Sequence, residues 1–205
     1  MSRETKLTAI ILKKQPFKEG DEIITLFTKE QGKVRVLAKS VKSAKSKLQQ
    51  KLQALFLVEM IVTTGEFPKI IGVEALQVYH HLRENLQAMK MAFYAIELVL
   101  KITVDEQPNE NLFNSLKNFL EFLDAEKQQE ILNLGLAKFK IEILEVSGLG
   151  MQSQKNELFL KLKQTDFTGL QNINPVGLKE LQDSLSQFIE YQLERKVKSE
   201  RYLNQ

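Results

Sequence analysis

The sequence predicts an α+β protein: a small antiparallel β-barrel over residues 1–80, then an all-helical region over 81–205. Two successive patterns predict it. Up to about residue 80, short runs rich in β-branched residues alternate with turn signals; from about residue 82, apolar residues recur at spacings of three and four. Composition agrees, since 43% of the 205 residues are hydrophobic and 27% charged, as in globular proteins that bury a core.

"KLTAIILKK" reads as the first strand. "FKEGDEIITLFTKEQGKVRVLAKS" reads as strand, turn, strand, with Gly32 at the turn. "ALFLVEMIVTT", a turn at "GEF" and "PKIIGVEALQVY" complete about five strands, a count that fits a small barrel. In the second region, Leu86, Met89, Phe93, Ile96 and Leu100 form one helical face. Asn109 caps a second helix with a stripe of Leu112, Leu116, Phe119 and Leu123. A third, from about Ala125 to Ser147, carries apolar residues on much of its surface and is predicted to be central. "NELFLKLKQ" reads as a strand and "TDFTGLQNIN" as a loop. Asn174 and Pro175 open a last long helix, and Ser199 caps a final short turn.

The charge distribution points to function. Residues 33–51 hold Lys33, Arg35, Lys39, Lys42, Lys45, Lys47 and Lys51 and no acidic residue, while the whole chain carries only +3. Strand parity sends Val34, Val36 and Ala38 inward and Lys33, Arg35, Leu37 and Lys39 outward. Cations on alternate strand positions lie roughly 7 Å apart, a spacing suited to a flexible phosphate backbone. A merely solubilising surface usually mixes the two signs. Phe17 and Phe27 are candidates for base stacking, although Phe27 sits between apolar neighbours as a core residue does.

Catalytic signatures are missing. Neither "GLGM" nor "EGDE" has the spacing of a phosphate loop, and no Ser lies in a G-x-S-x-G setting. Cysteine is absent, which excludes disulfides and thiolate zinc sites. His80 and His81 are adjacent and point apart, marking an element boundary rather than a metal site. The acidic run Glu19–Glu22 reads as a turn. No cofactor is expected, no apolar stretch is long enough to cross a bilayer, and the N-terminus lacks a secretory signal, so the expected location is cytoplasmic. The residues leave three readings open: a DNA-binding protein, an adaptor whose helical region holds an acidic peptide, and an RNA-binding barrel.

Three segments carry a family resemblance: "FKEGDEIITLFTKEQGKVRVLAKSVK", "SKLQQKLQALFLVEM" and "IIGVEAL". They closely resemble the N-terminal part of RecO, the bacterial recombination and repair mediators. "AKFKIEILEVSGL" and "LERKVKSERYL" are similar to anchor points in that family's helical part. The resemblance implies an OB-fold over residues 1–80 and an all-helical C-terminal domain over 81–205. It implies a non-enzymatic protein that binds single- and double-stranded DNA and anneals complementary strands. With RecR, it would help load RecA onto strands coated by single-stranded DNA-binding protein. Lys33, Arg35, Lys39, Lys42, Lys45 and Lys47 match basic positions of the family. Lys138 and Phe139 match a helix that, in some members, receives the acidic C-terminal tail of the coating protein. The chain departs from many relatives at residues 149–173, where they carry a cysteine cluster consistent with zinc.

Overall fold

The structure is a computed structural model and describes residues 4–41, 47–151 and 156–203. It divides into two compact units: Met1–Tyr79 with Thr103–Phe113, and His80–Ile102 with Asn114–Gln205. The sequence reading puts a single boundary near residue 80. Residues 103–113 instead group with the strands, because the Glu106 amide donates to the Lys33 carbonyl (2.9 Å) and Asp105 bridges Lys33 in parallel. Periodicity along the chain carries no trace of a pairing between segments so far apart.

In the first unit, strands β1 (Glu4–Pro16), β2 (Glu22–Thr28), β3 (Gly32–Ala38), β4 (Leu57–Thr63) and β5 (Ile70–Gln77) form an antiparallel sheet. Helix α1 (Lys47–Lys51) lies between β3 and β4 in sequence. The sheet order is β3-β2-β1-β4-β5. β1 serves both halves, pairing β2 through Ala9–Pro16 and β4 through Glu4–Ile10. Its register slips between Ile11 and Lys13, and such a bulge bends a strand that must follow a curved sheet. β3 meets the segment just before β5 at the isolated parallel bridge Leu37↔Lys69, so the sheet curls into a partly open barrel of the expected OB type. Inward residues of every strand fill it, among them Leu7, Ile24, Leu26, Val36, Val58 and Met60. The β2–β3 turn is locked by Thr28, whose hydroxyl donates to the Gly32 carbonyl (3.0 Å) and accepts from the Gln31 amide (2.9 Å).

The second unit is helical. It contains α2 (His80–Glu84), α3 (Leu86–Ile102), most of α4 (Glu110–Ala125), α5 (Gln129–Val146), α6 (Glu157–Gln164) and α7 (Leu178–Leu193), with short 3-10 turns at Leu170–Asn172 and Lys198–Tyr202. α5 is central as expected and is buried almost without interruption from Leu134 to Ile141. Phe139 stacks on Phe119 at 4.4 Å, and Phe122 stacks on Phe167 at 4.9 Å.

Three expectations need correction here. "ELFLKLKQ" is helix, not strand: Asn156 caps it by accepting from the Phe159 amide (2.9 Å), and Leu158, Phe159 and Leu162 share a buried face. The run alternates like a strand yet also satisfies helical spacing, and the cap decides between them. α7 begins at Leu178, after Asn174 and Pro175 have formed a turn ending at Gly177 with φ +81°. α3 buries a different stripe from the one expected: Ala88, Met91, Ala92, Ala95, Ile96 and Val99 face inward, while Leu86 is 70% and Phe93 44% exposed. Alanines permit close helix approach, and a scan for bulky side chains passes over them.

Residues 197–203 are held to α3 by Glu97, whose carboxylate accepts from the amides of Lys198 (2.9 Å) and Ser199 (2.8 Å) and from the Ser199 hydroxyl (2.6 Å). Partial burial pushes this carboxyl up, but the Ser199 and Lys198 hydrogen bonds and the Lys101 charge outweigh it and hold Glu97 below its ordinary range. A depressed carboxylate stabilises the fold fully above its unfolded pKa, and the contribution fades as pH falls through the lower folded value. Glu97→Gln is therefore expected to cost about 1 kcal/mol at neutral pH. In urea melts, the gap between the variant and the parent should close as pH falls through that lowered value.

Candidate nucleic-acid interface

β3 and the loops around it position the basic residues, and strand parity behaves as the sequence requires. Val34, Val36 and Ala38 are buried, Lys33 is half-buried, and Arg35 and Lys39 are exposed. The cations do not form one open row, however. Lys33 Nζ lies 3.2 Å from Asp105 Oδ1 and donates to the Thr103 carbonyl at 2.6 Å, while Arg35 Nη2 donates to Asp105 Oδ2 at 2.7 Å. Burial pushes the Asp105 carboxyl up, but the hydrogen bonds and charges of Lys33 and Arg35 prevail and hold it below the usual range. A groove of about 720 Å³ runs beside this trio, and its ionic lining is Lys33 and Arg35 against Glu30, Glu66, Asp105 and Glu106. Four carboxylates against two cations repel phosphate. Lys33 and Arg35 are thus engaged by Asp105 in this structure rather than standing as an open row.

Beyond Arg35 the balance changes. Lys39 is exposed and makes no ion pair among the described residues. It lies between two loops that are pinned to the end of β3. On one side the Leu37 amide donates to the Pro68 carbonyl (2.8 Å) of the β4–β5 loop; on the other the Ser40 amide donates to Asp21 Oδ1 (2.9 Å) of the β1–β2 loop. Lys51 is exposed at the end of α1, and its ammonium donates to the Val73 carbonyl at 3.3 Å, which leaves its charge uncompensated. Lys42, Lys45 and the side chain of Lys47 lie outside the described residues.

The aromatic candidates separate cleanly. Phe27 is fully buried against Phe113, with ring centroids 6.1 Å apart, and cannot stack on a base. Phe17 is 46% exposed on the β1–β2 loop, with Lys18 Nζ 5.5 Å from its ring centre. The sequence reading missed Phe67, which is 66% exposed on the β4–β5 loop. Its only signal was an aromatic residue placed beside a turn glycine.

Lys138 and Phe139, the candidates for receiving an acidic tail, are both buried in the second unit. Phe139 is core. Lys138 Nζ is bound by Glu142 (2.6 Å), lies 3.4 Å from the Leu162 carbonyl and sits over the Phe167 ring. Neither presents a surface to a peptide, so that expectation is corrected. Lys140 is likewise buried, donating to Ser186 Oγ (2.6 Å) and Glu200 Oε1 (3.0 Å). An exposed apolar groove does exist in this unit, lined by Leu86, Met89, Phe93 and Tyr202, with Arg83, Lys90 and Glu84 as its charged residues. Among the described residues no cluster of His, Asp or Glu could hold a metal ion, and no helix is long and apolar enough to cross a membrane.

The Asp105 trio yields a prediction. Asp105→Ala is expected to release both cations and so raise affinity for single-stranded DNA. Two added phosphate contacts would steepen the log–log salt dependence by about 1.4, at roughly 0.7 per contact. Titrations of parent and variant at several salt concentrations check this; unchanged slopes would mean that Lys33 and Arg35 lie off the path of the strand.

Family models match the chain in two adjoining stretches, "Recombination protein O N terminal" over residues 1–79 and "Recombination protein O C terminal" over residues 83–157. A protein named DNA repair protein RecO from Dehalococcoides mccartyi is 36% identical over 144 residues, which covers 70% of this chain and 56% of the relative. A protein of the same name from a Cyanothece species is 30% identical over 169 residues, covering 82% of this chain and 57% of the relative. The chain thus spans little more than half the length of these curated relatives. With the barrel inside the first matched stretch and much of the helical unit inside the second, the chain belongs to the RecO family.

Proposed function

We propose that the chain is a non-enzymatic DNA-binding protein of repair and recombination that brings complementary single strands together. The observation that carries this reading is the acid-free run from Lys39 to Lys51, which begins where the carboxylate compensation of β3 ends. Phosphates of two strands held against one cationic surface repel each other less and meet at higher local concentration. Pairing then accelerates without any bond being made or broken in the DNA backbone. The same reading gives the chain RecR and the single-stranded DNA-binding protein as partners in loading RecA, and the bacterial cytoplasm as its place of action. It is tested by mixing complementary strands, bare or coated, with the protein across a salt series. Faster annealing at low salt that fades as salt rises is expected. No acceleration at any salt concentration overturns the reading.

One observation favours a second role, as an adaptor for an acidic peptide. The groove of Leu86, Met89, Phe93 and Tyr202 offers apolar contact beside the cations Arg83 and Lys90, which outnumber its one carboxylate, Glu84, and the acidic tail of the coating protein is proposed to lie there rather than at Lys138 and Phe139. Phe93→Ala and Lys90→Glu should each weaken a labelled tail peptide in an anisotropy titration. Undiminished binding in both variants would remove the groove from consideration. An RNA-binding role shares the electrostatics of the DNA reading, and competition between RNA and DNA strands separates the two.

A further inference from the structure

We infer that the groove beside Asp105 is a docking site for a basic segment of a partner protein, taken up in extended form with an apolar side chain as its anchor. The inference goes beyond DNA binding and does not depend on it, since this groove repels phosphate.

Three features of the groove point the same way. Its floor is apolar, made by the buried Leu7, Val34, Val36 and Val62 of the barrel, and Phe67 at its edge leaves its ring 66% exposed. Its volume of about 720 Å³ falls in the range of ligand clefts.

The rim is acidic. Asp105 is already engaged by Lys33 and Arg35. Glu66 and Glu106 are exposed and make no ion pair among the described residues, and Glu30 accepts from the Thr8 amide (3.0 Å) rather than from a cation. Three carboxylates thus line the groove without an ionic partner.

The wall offers open backbone. Lys33 and Leu37 turn their backbone groups away from β2: the Lys33 carbonyl accepts from the Glu106 amide (2.9 Å), and the Leu37 amide donates to the Pro68 carbonyl (2.8 Å). Alternate residues of an antiparallel strand face the same edge, so Arg35 turns its amide and carbonyl to that edge too. The bridges at Lys33 and Leu37 stop on either side of it, and no backbone partner meets Arg35 there among the described residues.

An incoming extended chain answers all three. One residue pairs its amide and carbonyl with Arg35 and sets its apolar side chain on the floor. Its neighbours point the opposite way, toward the rim, where lysine or arginine meets the carboxylates. A nucleic acid brings the wrong charge, and a neutral apolar ligand leaves the rim unmatched.

The test uses the full chain and a labelled eight-residue peptide alternating lysine with leucine, beside a counterpart with glutamate in place of lysine, each titrated by anisotropy. The parent is expected to bind the basic peptide at least about tenfold more tightly than the acidic one. Glu66→Lys and Glu106→Lys should each weaken the basic peptide by about fivefold or more, and Phe67→Ser by about tenfold. Glu74→Lys makes the same change of charge at an exposed position of β5 outside the groove and should stay within about twofold. Asp105→Ala frees Lys33 and Arg35 into the groove and should weaken the basic peptide while leaving DNA binding no weaker than in the parent. Equal binding of the two peptides, or binding of neither, overturns the inference. So does a basic peptide that the groove variants leave unaffected, or that Glu74→Lys weakens as much as they do. If the parent self-associates in sedimentation and Glu66→Lys abolishes the association, the occupant is a second copy of the chain and the assignment to a partner protein fails.

Discussion

Replacing Lys39, Lys42 and Lys45 together with Glu should lower affinity for single and double strands alike by about a hundred-fold or more at low salt. The triple variant changes the local charge by six units in the part of the basic run that begins where the Asp105 compensation stops. Phosphate contacts are independent of sequence, so the loss should be uniform across DNA sequences. Lys39 is exposed and none of the three substitutions replaces an apolar side chain, so the melting temperature should move by only a few degrees. Gel-shift or anisotropy titrations beside a thermal melt check both halves. Lys33→Ala with Arg35→Ala provides the contrast. Those two cations are held by Asp105, and their removal should change DNA affinity by less than about tenfold. Unchanged binding in the triple variant would move the interface to another surface.

Gly32→Ala should be the most destabilising single substitution near the site. Gly32 has φ +69°, a conformation that side-chain-bearing residues adopt only with strain. A Cβ there would also lie 2.0 Å from the Gln107 carbonyl oxygen and 2.9 Å from the Pro108 nitrogen, both backbone atoms with no rotamer to yield. The segment 103–108 would have to lift from β3, taking Asp105 away from Lys33 and Arg35. A loss of about 3 kcal/mol is expected, read as a shift of the urea midpoint. A variant within about 0.5 kcal/mol of the parent would show that the segment does not pack against the turn.

These predictions depend on features of unequal visibility in the sequence. The inward set Val34, Val36 and Ala38 was legible because alternation along a strand leaves little choice once one face is apolar. The centrality of α5 was legible because its apolar residues cover too much of the helix for one exposed face to remain. Asp105 could not be read as the partner of Lys33 and Arg35. It is separated from Arg35 by 70 positions, and the acidic pair Asp105–Glu106 after a helix resembles any solvated turn. That one carboxylate splits a basic run that looks uniform in composition. Lys138 misled for a related reason. A lysine on a helix usually reaches water, but here Glu142 one turn along and the Phe167 ring enclose it. Phe67 was overlooked because "GEF" reads simply as a turn, and the exposure of its ring is decided by which way that turn faces.

The salt dependence of single-strand binding tests most directly whether phosphate neutralisation holds the DNA. Seven cations stand in residues 33–51, and Asp105 engages two of them, leaving Lys39, Lys42, Lys45, Lys47 and Lys51. At roughly 0.7 per contact, a plot of log affinity against log salt should fall with a slope of about −3.5. A slope near zero would show that the strand is held by something other than its charge.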